Sequence, residues 1–325
     1  MITVLAGGVG AARYLAGLVQ VVDPSEVTAV VNTADDVWLH GLRVCPDLDT
    51  VTYTLGGAVD GDRGWGLVDE TWATMAALAR YEQVAPPGSP AGLTWFRLGD
   101  RDLATHLYRT ARLEEGADLA EVTAEVAEAW GVRCRLVPMT TDTVETRLTL
   151  APTSADGGAT AELGFQEYFV QHRHSVAVSA VRFVGAELAR PGPGVLEAIA
   201  EAERVVVAPS NPIVSIGPIL AVPGVAEALT ARRAHVVAVS PIVAGAALRG
   251  PADRLLTELG HDASVVGVAR LYAPWAATLV VDEADAGRAG EVEAAGMCCV
   301  VGPTVMHGPV EAAALAELTL QRAPA

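Results

Sequence analysis

The chain has 325 residues, 51% of them hydrophobic, so it can bury a sizeable core and is not disordered throughout. Its 39 acidic and 22 basic residues leave a net charge of −17, and no lysine occurs, so every fixed cation is arginine. That balance repels phosphate backbones and anionic lipid, which argues against a nucleic-acid or membrane-surface role; the missing lysine rules out a Gly-Lys-Ser/Thr phosphate loop.

Ile2–Ala6 reads as a short buried strand, Gly7-Gly8-Val9-Gly10 as a turn, and Ala11 to about Val21 as a helix. A strand at the very start leaves no basic leader, and no apolar run approaches the roughly 18 residues of a membrane span. A soluble cytoplasmic protein is therefore expected. Glycines after a strand let backbone N–H groups approach an anion at a helix N-terminus, where the dipole favours negative charge. Gly7, Gly8 and Gly10 are thus candidate phosphate contacts, with a tight turn lacking any ligand as the alternative. Arg13 stands where a dinucleotide fingerprint wants a third small residue. In the first helical turn it would oppose the dipole unless it faced a phosphate.

Val27–Val31 is a second β-branched strand, ending in Asn32-Thr33-Ala34-Asp35-Asp36. Strand, glycine turn, helix and strand open a doubly wound parallel sheet. Asp35 and Asp36 repel each other unless a cation or an arginine sits beside them. Asp47 and Asp49 follow in Pro46-Asp47-Leu48-Asp49-Thr50, with Asp47 suited to cap a helix starting near Leu48. Four carboxylates on two successive βα segments can converge on one divalent ion, and oxygen-rich clusters of this kind suit Mg²⁺.

Leu67–Tyr81, Arg101–Leu113 and Leu119–Trp130 read as helices, with a breaker at Pro86–Pro90. Leu98-Gly99-Asp100-Arg101-Asp102-Leu103-Ala104-Thr105-His106 gathers two acids, an arginine, a hydroxyl and an imidazole at a helix start. Asp100 as its N-cap accounts for only one of them, and His106 alone is more often a packing histidine than a catalyst. Between 133 and 184 the texture turns to strands at Arg133–Val137, Val144–Leu150, Ala159–Phe165 and Val176–Val184, with a turn at 154–158. This stretch is expected to be a β-rich insert in a core made of residues 1–132 and 185–325. His172 and His174 read as a solvated strand end.

Alternation then returns, with strands at Val205–Val207, His235–Val239, Thr278–Val281 and Cys298–Val301. The fold class is α/β, a doubly wound Rossmann-like parallel sheet with a smaller β-rich inserted subdomain. Pro209-Ser210-Asn211-Pro212, followed by Ser215-Ile216-Gly217-Pro218, presents an amide, hydroxyls and free N–H groups at a strand end, as a nucleotide requires. Ser240-Pro241-Ile242 repeats that design. The cysteines at 45, 134, 298 and 299 lack zinc spacing and read as buried free thiols.

Taken in order, Ala6–Arg13, Val31–Asp36, Cys45–Thr50, Leu98–Asp102, Pro209–Pro212, Ser215–Pro218 and Ser240–Ile242 resemble the CofD/FbiA family of coenzyme F420 biosynthesis. The resemblance spans residues 1 to about 255. It implies transfer of a 2-phospholactyl or enolpyruvyl-phosphate group from a guanosine-diphosphate-linked donor to the ribityl hydroxyl of the deazaflavin Fo, releasing GMP. It also implies Mg²⁺ and a homodimer. The lysine-free, alanine- and arginine-rich composition suggests a high-GC genome, and the family's actinobacterial members favour the enolpyruvyl donor.

By the same resemblance Asp35 and Asp49 are the leading metal ligands, with Asp36 and Asp47 behind them. Asp49 or Asp100 would orient or deprotonate the attacking hydroxyl. Gly7, Gly8, Gly10, Arg13, Ser210, Asn211, Ser215 and Gly217 would hold the nucleotide. Asp36, Asp49, Arg97, Arg101 and Thr105 would face Fo. Arg13, Arg43 and Arg101 are candidate phosphate or carboxylate contacts, and Trp38, Trp65 and Trp95 are the nearest stacking surfaces. The rival readings are a nicotinamide-dependent oxidoreductase and a non-catalytic guanine-nucleotide sensor.

Overall fold

Strand β1 (Ile2–Ala6) is buried along its whole length and runs directly into the glycine turn. A computed structural model describes residues 1–87, 89–152 and 161–321. The turn expected at 154–158 lies outside them. After β1 come α1 (Gly8–Val21), β2 (Val27–Val31), the short strands β3 (Val37–Leu39) and β4 (Leu42–Val44), and α2 (Pro46–Leu55). Helices α3 (Ala73–Glu82), α4 (Asp102–Glu114) and α5 (Leu119–Ala129) precede β5 (Arg135–Pro138), β6 (Glu145–Leu150), β7 (Glu162–Gly164) and β8 (Val178–Val184). Next are α6 (Val195–Glu201), β9 (Arg204–Val207), α7 (Gly217–Ala221), α8 (Val225–Ala231) and β10 (Val236–Val239). A small hairpin, β11 (Ile242–Val243) and β12 (Ala246–Ala247), leads to α9 (Ala252–Glu258) and α10 (Val265–Tyr272). The chain closes with β13 (Thr278–Val281), α11 (Ala289–Ala294), β14 (Cys298–Val301) and α12 (Pro309–Leu320).

Seven strands form one parallel sheet in the order β14-β13-β10-β9-β1-β2-β5. The chain winds outward from β1 to β5, returns to β9 on the other side of β1, and winds outward again to β14. The order therefore reverses between β1 and β9, where Ile2 pairs with Arg204. In doubly wound sheets such a reversal opens a crevice at the strand C-termini.

Successive strand residues face opposite sides of the sheet, and both sides are covered. Val4, Ala6, Val206, Val239 and Val280 share a core with Leu15, Val51 and Leu315 of α1, α2 and α12. Leu5, Val205, Val207, Ala238 and Leu279 share the other with Ile199, Leu229 and Val268 of α6, α8 and α10. Burial on both faces is why these strands read as unbroken apolar runs.

Four expectations are corrected. Arg133–Val137 does not belong with the insert: Arg135–Pro138 pairs in parallel with β2 and forms an edge of the main sheet. The separate antiparallel sheet has the order β7-β6-β8. The helix expected over Leu67–Tyr81 begins only at Ala73, because Gly66 and Asp69 adopt positive φ and Leu67 pairs instead with Val59. His172 and His174 end no strand. They follow a π-helical turn, Glu167–Gln171, in a bend where His174 has φ +43. All four cysteines are free; Cys45 and Cys134 are buried as expected, while Cys298 and Cys299 are only half-buried. Among the described residues no single helix is long and apolar enough to cross a membrane.

Candidate active site

A cleft of about 710 Å³ opens beside the reversal point, at the C-terminal ends of β1, β2, β9 and β10. Its floor is the glycine turn. Gly8 takes φ +73, and a Cβ on Gly10 would lie 2.2 Å from the carbonyl oxygen of Pro209, so only glycine lets α1 approach the loop after β9 this closely. Helix α1 starts at Gly8, earlier than the sequence suggests, and Arg13 consequently sits in its second turn. Across the floor, Asn211 caps a second π-helical turn, Pro212–Ile216, by accepting from the N–H groups of Ile213 and Val214. Its Nδ2 is buried with no acceptor, and Ser210 is anchored to the Gly7 carbonyl at 2.9 Å.

One wall is built on Asn32. Its Oδ1 accepts from Ala34 N–H at 3.0 Å, folding the end of β2 into a turn that directs Asp35 toward the cleft. Its Nδ2 donates to Asp35 and to Asp47, both at 3.0 Å. Asp47 is not the N-cap of α2, because Pro46 already occupies the first turn and Cys45 is the cap. Instead Asp47 reaches back under the glycine turn. Neither Asp35 nor Asp47 has an arginine partner among the described residues, and Asp35 Oδ1 is buried without a well-formed hydrogen bond, near the equally unpaired Thr146 hydroxyl. Burial, reinforced by the charge of Asp47, pushes the Asp35 carboxyl well above its usual range. Burial also raises Asp47 to about 7.

The neighbouring acids differ. Asp36 is buried beneath the wall and pairs with Arg43 at 3.0 Å, and burial lifts it to about 6. Both oxygens of Asp49 accept from the buried Arg109 of α4. Arg109 Nη1 also lies 3.3 Å from His106 Nδ1, and since a guanidinium only donates, that ring nitrogen accepts. The His106 proton then sits on Nε2, 3.1 Å from Asp102 Oδ2 but off the line of a good hydrogen bond. Tyr53 donates to the other Asp102 oxygen at 2.5 Å. Against the raising effect of burial, His106 and Tyr53 hold the Asp102 carboxyl below its usual range.

Two sets of ligands could hold a cation. Donor atoms of Asp49, Asp102 and His106 lie within 4.8 Å of one another. A fixed guanidinium already stands among them, so an added cation would meet positive charge. Asp35, buried, and Asp47, half-buried, have the opposite problem: the two carboxylates share one amide donor, one Asp35 oxygen lacks a hydrogen bond, and no arginine pairs with either among the described residues. That donor set fits a hard divalent ion. Where the sequence reading paired Asp35 with Asp49, Asn32 joins Asp35 to Asp47 and Arg109 holds Asp49. Asp35 and Asp49 line the same cleft, but arginine has already neutralised the second.

Of the other expected residues, Gly7, Gly8, Gly10, Arg13, Arg97, Trp65, Ser210, Asn211 and Ser215 line the cleft. Asp36, Asp100, Arg101, Thr105 and Gly217 are not part of its lining. Asp100 accepts from Thr71 Oγ1 and from the N–H groups of Ala73 and Thr74, so it caps α3 from a distance rather than its own helix. Arg101 donates to the Val68 carbonyl, Thr105 is buried, and Gly217 makes room for Phe183. Arg43 is spent on Asp36, Trp38 is exposed, and Trp95 packs on Phe96. Sequence reading missed Tyr53, Arg109, Arg249, Phe165, Gln166 and Phe169, and the last three reach the cleft from the helical turn that follows β7. Gln166 Nε2 donates to the Asp35 carbonyl at 3.0 Å. The Tyr–Asp–His–Arg connections had one legible signal, the i, i+4 and i, i+3 spacing of Asp102, His106 and Arg109 on one helix face.

A pH test follows from the wall. The folded protein holds protons on Asp35 and Asp47 more tightly than the unfolded chain, whose carboxyls titrate near 3.8. Their contribution to stability is therefore complete below that value and lost as pH rises through about 7. Without divalent cation, the melting temperature of Asp47→Asn should gain on wild type between pH 5 and 8. Mg²⁺ should shrink the gap at pH 8. A gap that ignores both pH and Mg²⁺ would refute the shifted carboxyls.

Comparison with known proteins agrees with the motif order. The family model "2-phospho-L-lactate transferase CofD" matches residues 2–294, beyond the span that the motifs cover. A "Phosphoenolpyruvate transferase" of Kitasatospora aureofaciens is 45% identical, covering 98% of this chain and 96% of that protein. A protein of the same name from Streptomyces griseus is 46% identical over 99% and 98%, and one from Mycobacterium ulcerans 47% over 86% of each. A crystal structure of a UPF0052 family member from Bacillus halodurans superposes with a TM-score of 0.61 over 98% of both chains. At 17% identity that likeness speaks for the fold alone.

Proposed function

The chain belongs to the CofD family and is a transferase of F420 biosynthesis, and we propose that it moves an enolpyruvyl-phosphate group from a guanosine-diphosphate-linked donor to the ribityl hydroxyl of Fo, releasing GMP. The observation that carries this reading is the unneutralised Asp35–Asp47 pair beside the glycine turn. In a chain of net charge −17, an anionic donor needs local positive charge, and this pair is where a divalent ion would supply it. The names of the relatives favour the enolpyruvyl over the 2-phospholactyl donor. In the same reading the enzyme is cytoplasmic and a homodimer.

In the reaction, the acceptor hydroxyl oxygen forms a bond to the phosphorus that carries the three-carbon acid. The bond from that phosphorus to the oxygen of the GMP phosphate breaks, and GMP leaves with its electron pair. Such a transfer asks mainly for alignment and charge neutralisation. Asp35 and Asp47 would hold Mg²⁺, which when bound would supply positive charge against the diphosphate. The glycine turn, Ser210 and the unsatisfied Asn211 amide hold phosphate oxygens. The acceptor proton goes to Asp102, the cleft carboxylate outside the metal pair that no guanidinium binds directly. Arg109 fixes Asp49 and the His106 tautomer, and so keeps Asp102 aimed.

The test is incubation with Fo and each guanosine-linked donor, with and without Mg²⁺, followed by mass spectrometry. The expected result is the enolpyruvyl-phosphate ester of Fo plus an equal amount of GMP, only with Mg²⁺. No ester from either donor would defeat the assignment.

A further inference from the structure

Arg13 on α1 and Arg249 just beyond β12 both line the cleft, and neither has a carboxylate partner among the described residues. Of the three arginines that line the cleft, Arg97 is stacked over Trp72 at 4.5 Å, which leaves Arg13 and Arg249 with neither a carboxylate nor an aromatic partner among the described residues. Each donates instead to a peptide carbonyl: Arg13 to Met306 at 3.4 Å, Arg249 to Arg63 at 2.8 Å. Neutral carbonyls are weak competitors for a guanidinium, and an oxyanion displaces them readily.

The two charges are close. Partial burial and then the charge of Arg249 hold the Arg13 guanidinium below its ordinary value. Gly64, at φ +79, brings Arg249 to the start of α1: a Cβ on it would lie 2.8 Å from both Arg249 Nη1 and Val9 Cγ1. The hairpin that leads to Arg249 is tied down on the far half of the sheet, where Ala244, at φ +50, donates its N–H to the buried Asp285 at 2.8 Å. Arg249 therefore reaches from the hairpin beyond β10 to the loop between α2 and α3 along the edge of the cleft.

We propose that Arg249 and Arg13 form an oxyanion clamp for the donor, and that Arg249 determines donor affinity by exchanging the Arg63 carbonyl for a ligand oxygen. The inference rests on the transferase reading for the donor's identity. The bound group is either the diphosphate or the carboxylate of the three-carbon acid, both of which suit a paired guanidinium.

Calorimetry with inorganic pyrophosphate, guanosine diphosphate and phosphoenolpyruvate tests it, on wild type, Arg249→Gln and Arg249→Lys. Arg249→Gln should raise Kd about 10- to 100-fold. The rise appears for pyrophosphate and the nucleotide if the clamp holds the diphosphate, and for phosphoenolpyruvate alone if it holds the carboxylate. Arg249→Lys, which lacks the planar fork, should recover only part of the affinity. The melting temperature and the Kd for Fo should not move. Unchanged Kd values in Arg249→Gln, with wild type binding the nucleotide, would overturn the clamp and leave the transferase reading intact. Wild type that binds pyrophosphate but not guanosine diphosphate would keep the clamp and overturn the guanosine-linked donor. Binding of none of the three would overturn both.

Discussion

Asp35→Asn should lower turnover about a thousandfold, while the metal-free variant is at least as heat-stable as wild type at pH 8. The first half follows from what a divalent ion contributes to phosphoryl chemistry. Charge stabilisation of several kcal/mol is lost with it, and about 4 kcal/mol corresponds to three powers of ten in rate. The second half follows from the wall itself. Asp35 is buried, repelled by Asp47 and left with one oxygen unpartnered, so its negative form is costly in the empty protein. An amide of the same shape removes that charge. Loss of activity with no loss of stability is the signature of a group kept for a ligand rather than for the fold. Steady-state rates at saturating Mg²⁺ and thermal melts with chelator check the two halves. A variant both active and unchanged in melting would show that Asp35 holds no ion.

Asp49→Ala should behave in the opposite way, costing about 3–5 kcal/mol of folding free energy, because it strands a buried guanidinium. Arg109 is almost wholly inaccessible, and although burial opposes its charge, Asp49 holds its pKa above the ordinary value. The partner change Arg109→Leu should also be costly, since it leaves Asp49 without its counter-ion. Surface pairs such as Arg182 with Glu162 are screened by water and should matter far less. Urea titration measures the difference as a shift in midpoint at constant slope. A cost below about 1 kcal/mol for Asp49→Ala would mean that the pair is solvated and structurally dispensable. The contrast between Asp35 and Asp49 is the sharpest available test of the site, since both carboxylates line one cleft.

Much of this was legible beforehand. Thr278–Val281 and Val27–Val31 have the bounds that their β-branched runs suggest, because strands covered on both faces leave a continuous apolar signature. The glycine turn and the acids closing β2 meet at the sheet's reversal point for the same topological reason. Errors concentrated where a local signal had two possible users. Asp100 has the right residue type to cap a helix, and it does cap one, but the helix lies almost thirty residues earlier in the chain. Cys45 took the cap of α2 that Asp47 seemed to claim, with Pro46 opening the helix.

Local pattern by itself determined the α/β class, the glycine turn, and the gathering of carboxylates near it, because each depends on periodicity and on residues a few positions apart. Only the tertiary structure decided which carboxylate is neutralised. Arg109 reaches Asp49 across 60 positions of chain, and Asn32 joins Asp35, at the end of β2, to Asp47 in the first turn of α2. Whether an acid serves the fold or a ligand depends on its burial and on the charge facing it. Both are set by elements that meet only when the sheet closes, and neither is written in the spacing of the acids themselves.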